Sequence, residues 1–154
     1  NFALLSAFDA FGITVNIDTN DYSVELDRAL GSSYKIDLTY DQVYIDFDDC
    51  LLLGNDVNIE LIKYIFMMRN KGIKVILITR HKNDIRETLE RHRLSRIFDE
   101  IIHIQDKRPK SDFILGEGSI FIDDSFSERT EVKQVHGIPV FSPDMVEMLI
   151  TSGF

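Results

Sequence analysis

Four short apolar runs in this chain each give way to a residue suited to holding a phosphate or a metal ion. Val43, Tyr44 and Ile45 lead into Asp46-Phe47-Asp48, and Val75 to Ile78 lead into Thr79. Ile101, Ile102, His103 and Ile104 lead to a basic loop containing Lys110, and Ile120 to Ile122 lead into Asp123-Asp124. If the runs are parallel strands of one sheet, their polar ends share an edge. That edge is where open α/β sheets bind ligands. Two carboxylate pairs, a hydroxyl and an ammonium would then converge, a set suited to magnesium-assisted phosphoryl chemistry.

From Tyr40 onward, strand-like and helix-like segments alternate, the pattern of a parallel α/β sheet. Strands are expected near residues 43–47, 73–78, 101–104, 119–122 and 138–141. Helices are expected near 58–70, 83–94, 111–115, 125–135 and 143–150. Asn58 and Asn83 serve as start signals, Gly72 as a stop, and Pro143 opens the last helix. Ahead of this, residues 2–11 read as an apolar helix ending at Gly12. Residues 13–17 and 34–38 alternate like strands, and residues 21–30 read as helical. Residues 1–40 are therefore an N-terminal α/β extension, or the tail of a preceding domain, and 41–154 the main domain. Asn1 stands where an initiator Met would, so a piece of a longer protein is expected.

Bulk properties narrow the partners. The 154 residues carry 17 basic and 26 acidic side chains, a net charge of −9. That disfavours nucleic acid, whose binding runs on positive patches. A phosphorylated ligand stays open, because a metal ion and a few cations can invert the local field. Cys50 is the single cysteine, which excludes an internal disulfide and a cysteine-based zinc site. The four histidines show no close ligand spacing. No apolar stretch approaches the ~18 residues of a membrane span, and no signal segment is evident. A cytoplasmic protein without a membrane partner is expected.

The individual signals have chemical content. Asp46 and Asp48, two apart at a strand end, face the same side. One carboxylate can attack phosphorus while the other carries a proton to the leaving oxygen. A hydroxyl and a free amide at Thr79 can hold a phosphate oxygen, and Arg80 and His81 can reach the same anion. Lys110 can neutralise a transferring phosphoryl group. Asp123 and Asp124 offer the hard oxygen ligands that magnesium prefers. Each feature also has a plainer reading: an acidic loop, a turn threonine, a solvated lysine, a helix cap.

Taken in order, Asp-x-Asp, Thr, Lys and Asp-Asp over residues of about 41–150 resemble the haloacid dehalogenase (HAD) superfamily of phosphohydrolases. The resemblance implies a Rossmann-like three-layer sandwich around a mostly parallel five-stranded sheet. It implies that Asp46 is the nucleophile that becomes an aspartyl phosphate, and that Asp48 is the general acid and base. Mg²⁺ would be held by Asp46, the Asp48 carbonyl and Asp123, with Asp124 acting through water or orienting Lys110. Thr79 and Lys110 would hold the phosphoryl oxygens. Family members usually carry a small residue and then Thr or Val after the second Asp. Asp49 and Cys50 stand there in this chain. Response-regulator receivers use similar residues, but their acidic pair precedes the phosphorylated Asp.

The intervals from Asp48 to Thr79 and from Thr79 to Lys110 leave no room for an inserted lid, so the resemblance is to capless members. The expected activity is magnesium-dependent phosphomonoester hydrolysis. A non-catalytic phosphate- or partner-binding domain and a phosphotransferase are the alternatives. HAD domains also occur fused behind ATP-grasp domains of carbamoyl-phosphate-synthase-like proteins, and the opening segment resembles such a tail, so covalent fusion to an upstream domain is a further expectation.

Overall fold

The computed structural model describes residues 2–15, 22–28 and 32–151. In chain order the elements are α1 (Phe2–Ala10), β1 (Val24–Arg28), β2 (Ser32–Ile36), β3 (Gln42–Ile45), β4 (Leu52–Leu53) and β5 (Asp56–Val57). They continue with α2 (Ile59–Asn70), β6 (Lys74–Thr79), α3 (Ile85–Arg91), β7 (Glu100–His103), β8 (Ser119–Ile122), α4 (Phe126–His136), β9 (Val140–Phe141) and α5 (Val146–Thr151). Two 3-10 turns, Lys110–Phe113 and Pro143–Met145, precede β8 and α5.

Five strands make one parallel sheet in the order β7-β6-β3-β8-β9. β3 is central, with Ile45 level with Leu77 of β6 and Ile122 of β8. The next residues on, Asp46 and Asp123, and Thr79 two residues past Leu77, therefore end on the same edge. Register alone brings the three motifs together.

The strand residues are nearly continuous apolar runs because both faces are covered, as parallel sheets require. Val43, Ile45, Val75, Leu77, Ile120 and Ile122 share one core cluster with Leu61 and Ile65 of α2 and Leu149 of α5. Tyr44, Ile76, Ile78 and Phe121 point the other way, onto Val132 of α4 and onto Ile114, which follows the first 3-10 turn. The result is helix, sheet and helix, the three layers expected.

Local chemistry fixes the helix ends. Asn58 accepts a hydrogen bond from the Leu61 amide, and Ser125 caps α4 by accepting from the Glu128 amide. Gly137, at φ 67°, closes α4 in the left-handed conformation that costs glycine least. α3 starts one residue later than expected, because Asp84 rather than Asn83 accepts from the Arg86 and Glu87 amides. Of residues 111–115, expected as a helix, 111–113 lie in a 3-10 turn that begins at Lys110, and 114 and 115 have no regular structure.

The N-terminal region departs further. Residues 22–28 were expected to be helical, but β1 is a strand paired antiparallel with β2. Val24 and Leu26 alternate two apart, a strand period that the charges at Glu25, Asp27 and Arg28 mask. Residues 21, 29 and 30 of that expected helix lie outside the described residues. Residues 13–15 have no regular structure, and 16 and 17 also lie outside. The hairpin forms its own small sheet and joins the core through Ile36, while Tyr22 tilts against Phe141 at 5.8 Å. Ile36, Leu38, Thr39 and Tyr40 line a hollow with Lys71 and Ile73, just before β6, at the sheet edge opposite Asp46.

Between Asp48 and β6 lies one element not expected from sequence. β4 and β5 form a two-residue-per-strand hairpin, turned at Gly54 with φ 65°, and Leu52 bridges back to Asp48. Neither this interval nor the one from Thr79 to Lys110 holds a further domain.

Candidate active site

Lys110 is the hub. Its Nζ lies 2.5 Å from Asp46 Oδ1 and 2.6 Å from Asp123 Oδ2, and all three side chains are buried. β3 supplies Asp46, β8 supplies Asp123, and the 3-10 turn drops Lys110 between them. Nothing in sequence spacing dictates this, since Asp46 and Lys110 are 64 residues apart.

The electrostatics follow from burial. Burial pushes the Asp46 carboxyl up to about 7, against Lys110 pulling it down and Asp123 pushing it further up. Asp123 is raised for the same first reason, with Lys110 again opposing. Burial pulls Lys110 down, yet Asp46 and Asp123 outweigh it and leave the ammonium above its usual value. The triad therefore strongly favours a cation at its centre.

Asp124 completes an acidic group. Asp46, Asp123 and Asp124 each present one carboxylate oxygen, all within 4.8 Å of one another. Three hard oxygens on one small volume suit Mg²⁺, which binds through one or two carboxylates and retains several waters. Magnesium thus fits the residues present. The Asp123-Asp124 turn is held from below: Asp123 Oδ1 accepts from the Ser125 amide at 2.8 Å. Arg129 Nη1 donates to the carbonyls of Asp123 and Asp124 at 2.6 and 2.7 Å. Arg129 escaped the sequence reading, since an arginine in a second helical turn looks like any solvated side chain.

The Asp48 carboxylate points elsewhere. Its two oxygens lie 2.8 and 3.1 Å from His81 Nδ1, and it is half exposed. Its expected metal contact is through the carbonyl, so a carboxylate turned away from Asp123 is compatible with that role. Thr79 is fully buried at the end of β6, where its Oγ1 accepts from the His81 amide at 3.0 Å. The hydroxyl proton remains available to an anion. Arg80 is committed across the same edge, paired with Glu128 in the first turn of α4 and donating to the Arg108 carbonyl at 3.0 Å.

The two departures from the motif have structural answers. Asp49 adopts φ 55°, the left-handed region in which glycine is the least strained residue and Asp among the better-tolerated others. Its side chain is exposed and stands outside the acidic group. Cys50 is buried, with Sγ 3.9 Å from the Ile122 carbonyl. That is the weak contact a thiol makes where a hydroxyl would bond well. Burial, and then the Asp46 and Asp123 charges, hold its thiol well above the usual range.

No protein-family model matches the chain, and a search of curated proteins gives no match. Solved structures do. The chain is similar to the N-terminal part of a Bacteroides fragilis protein containing a phosphatase domain, complexed with Mg. That match has 18% identity and a TM-score of 0.56, and it covers 75% of this chain but only 40% of that one. The core domain of a candidate phosphoglycolate phosphatase from Streptococcus pneumoniae matches at 17% identity and TM-score 0.52, over 76% of this chain and 85% of that one. An uncharacterized Corynebacterium glutamicum protein matches at 9% identity and TM-score 0.55, over 75% and 96%. By its fold, the chain is a Rossmann-like α/β domain built on a five-stranded parallel sheet, similar to these phosphatase domains.

Proposed function

We propose that the chain is a magnesium-dependent phosphomonoester hydrolase acting through an aspartyl phosphate on Asp46. The observation that carries the reading is the meeting of Asp46, Lys110 and Asp123, buried together at the ligand-binding edge of the sheet. A phosphatase domain with Mg among the similar structures supports it.

Asp46 Oδ attacks phosphorus, and the bond to the leaving oxygen breaks as Asp48 delivers its proton to that oxygen. Water then attacks the phosphorus of the aspartyl phosphate and gives a proton to Asp48. The bond to Asp46 breaks, and inorganic phosphate leaves. Lys110 and the Thr79 hydroxyl hold the equatorial oxygens as charge gathers on them. Asp46, Asp123, Asp124 and the Asp48 carbonyl would hold Mg²⁺, which would supply charge neutralisation and keep the buried nucleophile ionised. With no lid inserted between Asp48 and Lys110 among the described residues, the substrate's leaving group extends toward solvent, and water reaches the phosphoenzyme, which favours hydrolysis over transfer.

Asp46→Asn tests the reading. Hydrolysis of 4-nitrophenyl phosphate with Mg²⁺ should disappear while the far-ultraviolet circular dichroism stays that of the parent. Turnover equal to the parent's would rule the mechanism out.

A further inference from the structure

His81 is the one side chain joined to the Asp48 carboxylate among the described residues, and every polar atom on its ring is committed. Nδ1 meets Asp48 at 2.8 Å, and Nε2 meets Thr88 Oγ1 at 3.1 Å. The Thr88 hydroxyl spends its own proton on the Asp84 carbonyl at 2.9 Å. Its oxygen can therefore only accept from the imidazole, and Nε2 carries a hydrogen. Since both Asp48 oxygens face Nδ1, a single proton joins the pair, supplied by the ring or by the acid.

The ring has little freedom to leave. The edge of Phe47 packs against it at 5.2 Å between centroids, nearly perpendicular, and the side chain is 11% exposed. Its backbone is fixed from both sides, by the amide on Thr79 Oγ1 and by its carbonyl accepting from His103 Nε2 at 2.8 Å. Asp48, in contrast, is half exposed and without another side-chain partner among the described residues. A nearly buried imidazole, fixed by its partners, thus holds a half-exposed carboxylate.

We infer that His81 is the positioning residue for Asp48: it fixes the carboxylate, through a locked tautomer, where the leaving oxygen departs. The inference rests on the phosphatase reading above. It also places the leaving group on the His81 side of the edge. There Arg80, Lys82, Arg86 and His103 line an open cleft of about 690 Å³.

A positioned acid matters in proportion to how badly the leaving group needs a proton. The experiment is kcat/KM with Mg²⁺ for a series from 2,4-dinitrophenyl through 4-nitrophenyl to phenyl phosphate. Three variants are compared with the parent: His81→Ala, His81→Asn and Thr88→Val. In His81→Ala, phenyl phosphate should lose about 10- to 100-fold while the dinitrophenyl ester changes less than about threefold, so that the dependence on leaving-group basicity steepens. Asn can return a polar atom near the Nδ1 position and should recover part of the loss. Thr88→Val frees the ring and should shift the slope in the same direction, less far.

An equal loss on every ester, or no loss, overturns the inference, because a merely structural histidine would act on all leaving groups alike. If His81→Ala fails to fold, the Asn and Val variants decide on the same criterion. A parent protein inert toward the whole series instead rejects the phosphatase reading, and the assignment of His81 with it.

Discussion

Asp46 and Lys110 meet at 2.5 Å with almost no solvent contact, and the same ammonium touches Asp123. Removing that cation leaves two buried carboxylates facing each other. Breaking a buried pair costs about 3–5 kcal/mol. Lys110→Met should therefore lower stability by an amount of that order in chelator, measured by denaturant unfolding. Added Mg²⁺ should return part of it, because a divalent ion supplies the missing positive charge.

The raised Asp46 carboxyl sets a pH dependence in the metal-free protein. Its folded value of about 7 lies above the ordinary 3.8, so the folded state holds the extra proton between those values. Stability from this group is then greatest below about 4 and is lost as pH rises toward 7. Melting in chelator, compared between the parent and Asp46→Asn, should show the parent losing ground from pH 5 to pH 8. The opposite trend would mean that Lys110 and not burial governs the group.

Asp49 sits at φ 55° in the loop that follows Asp46. Asp49→Gly should be near neutral, since relief of the left-handed backbone offsets the added chain entropy. Asp49→Ala should lose about 1 kcal/mol relative to the Gly variant, because a bare Cβ meets the steric cost that a short polar side chain partly avoids. Urea midpoints of the two variants check the ordering.

Cys50 offers a probe of opening. It is fully buried and its thiol is held far from ionisation. Reaction with an aromatic disulfide reagent should be slow in the folded protein and immediate in denaturant, because the thiolate is the reactive form. Fast labelling in native buffer would mean that the loop after Asp48 opens readily.

Much of the sheet was legible because both-sided burial writes strands as apolar runs, and three of the runs here end at a candidate site residue. Asp46, Thr79 and Asp123 could be placed on one edge from that alone. Lys110 could be named but not located, since its position depends on a tight turn and not on a strand end. Asp48 and His81 were both noticed, but their pairing was invisible: it depends on how two loops fold toward each other. The β1 strand was misread because Val24 and Leu26 are only half covered, 45% and 49% exposed, and the intervening charges imitate a helix face. The β4–β5 hairpin is too short for any periodicity to register.

The amine wedged between two acids has a consequence for how such a protein comes into being. A nascent chain that carries its own stand-in counter-ion can close its sheet before any metal arrives. On the proposed magnesium-dependent reading, loading is then a late, reversible event, and withdrawing the ion should silence the molecule without dismantling it.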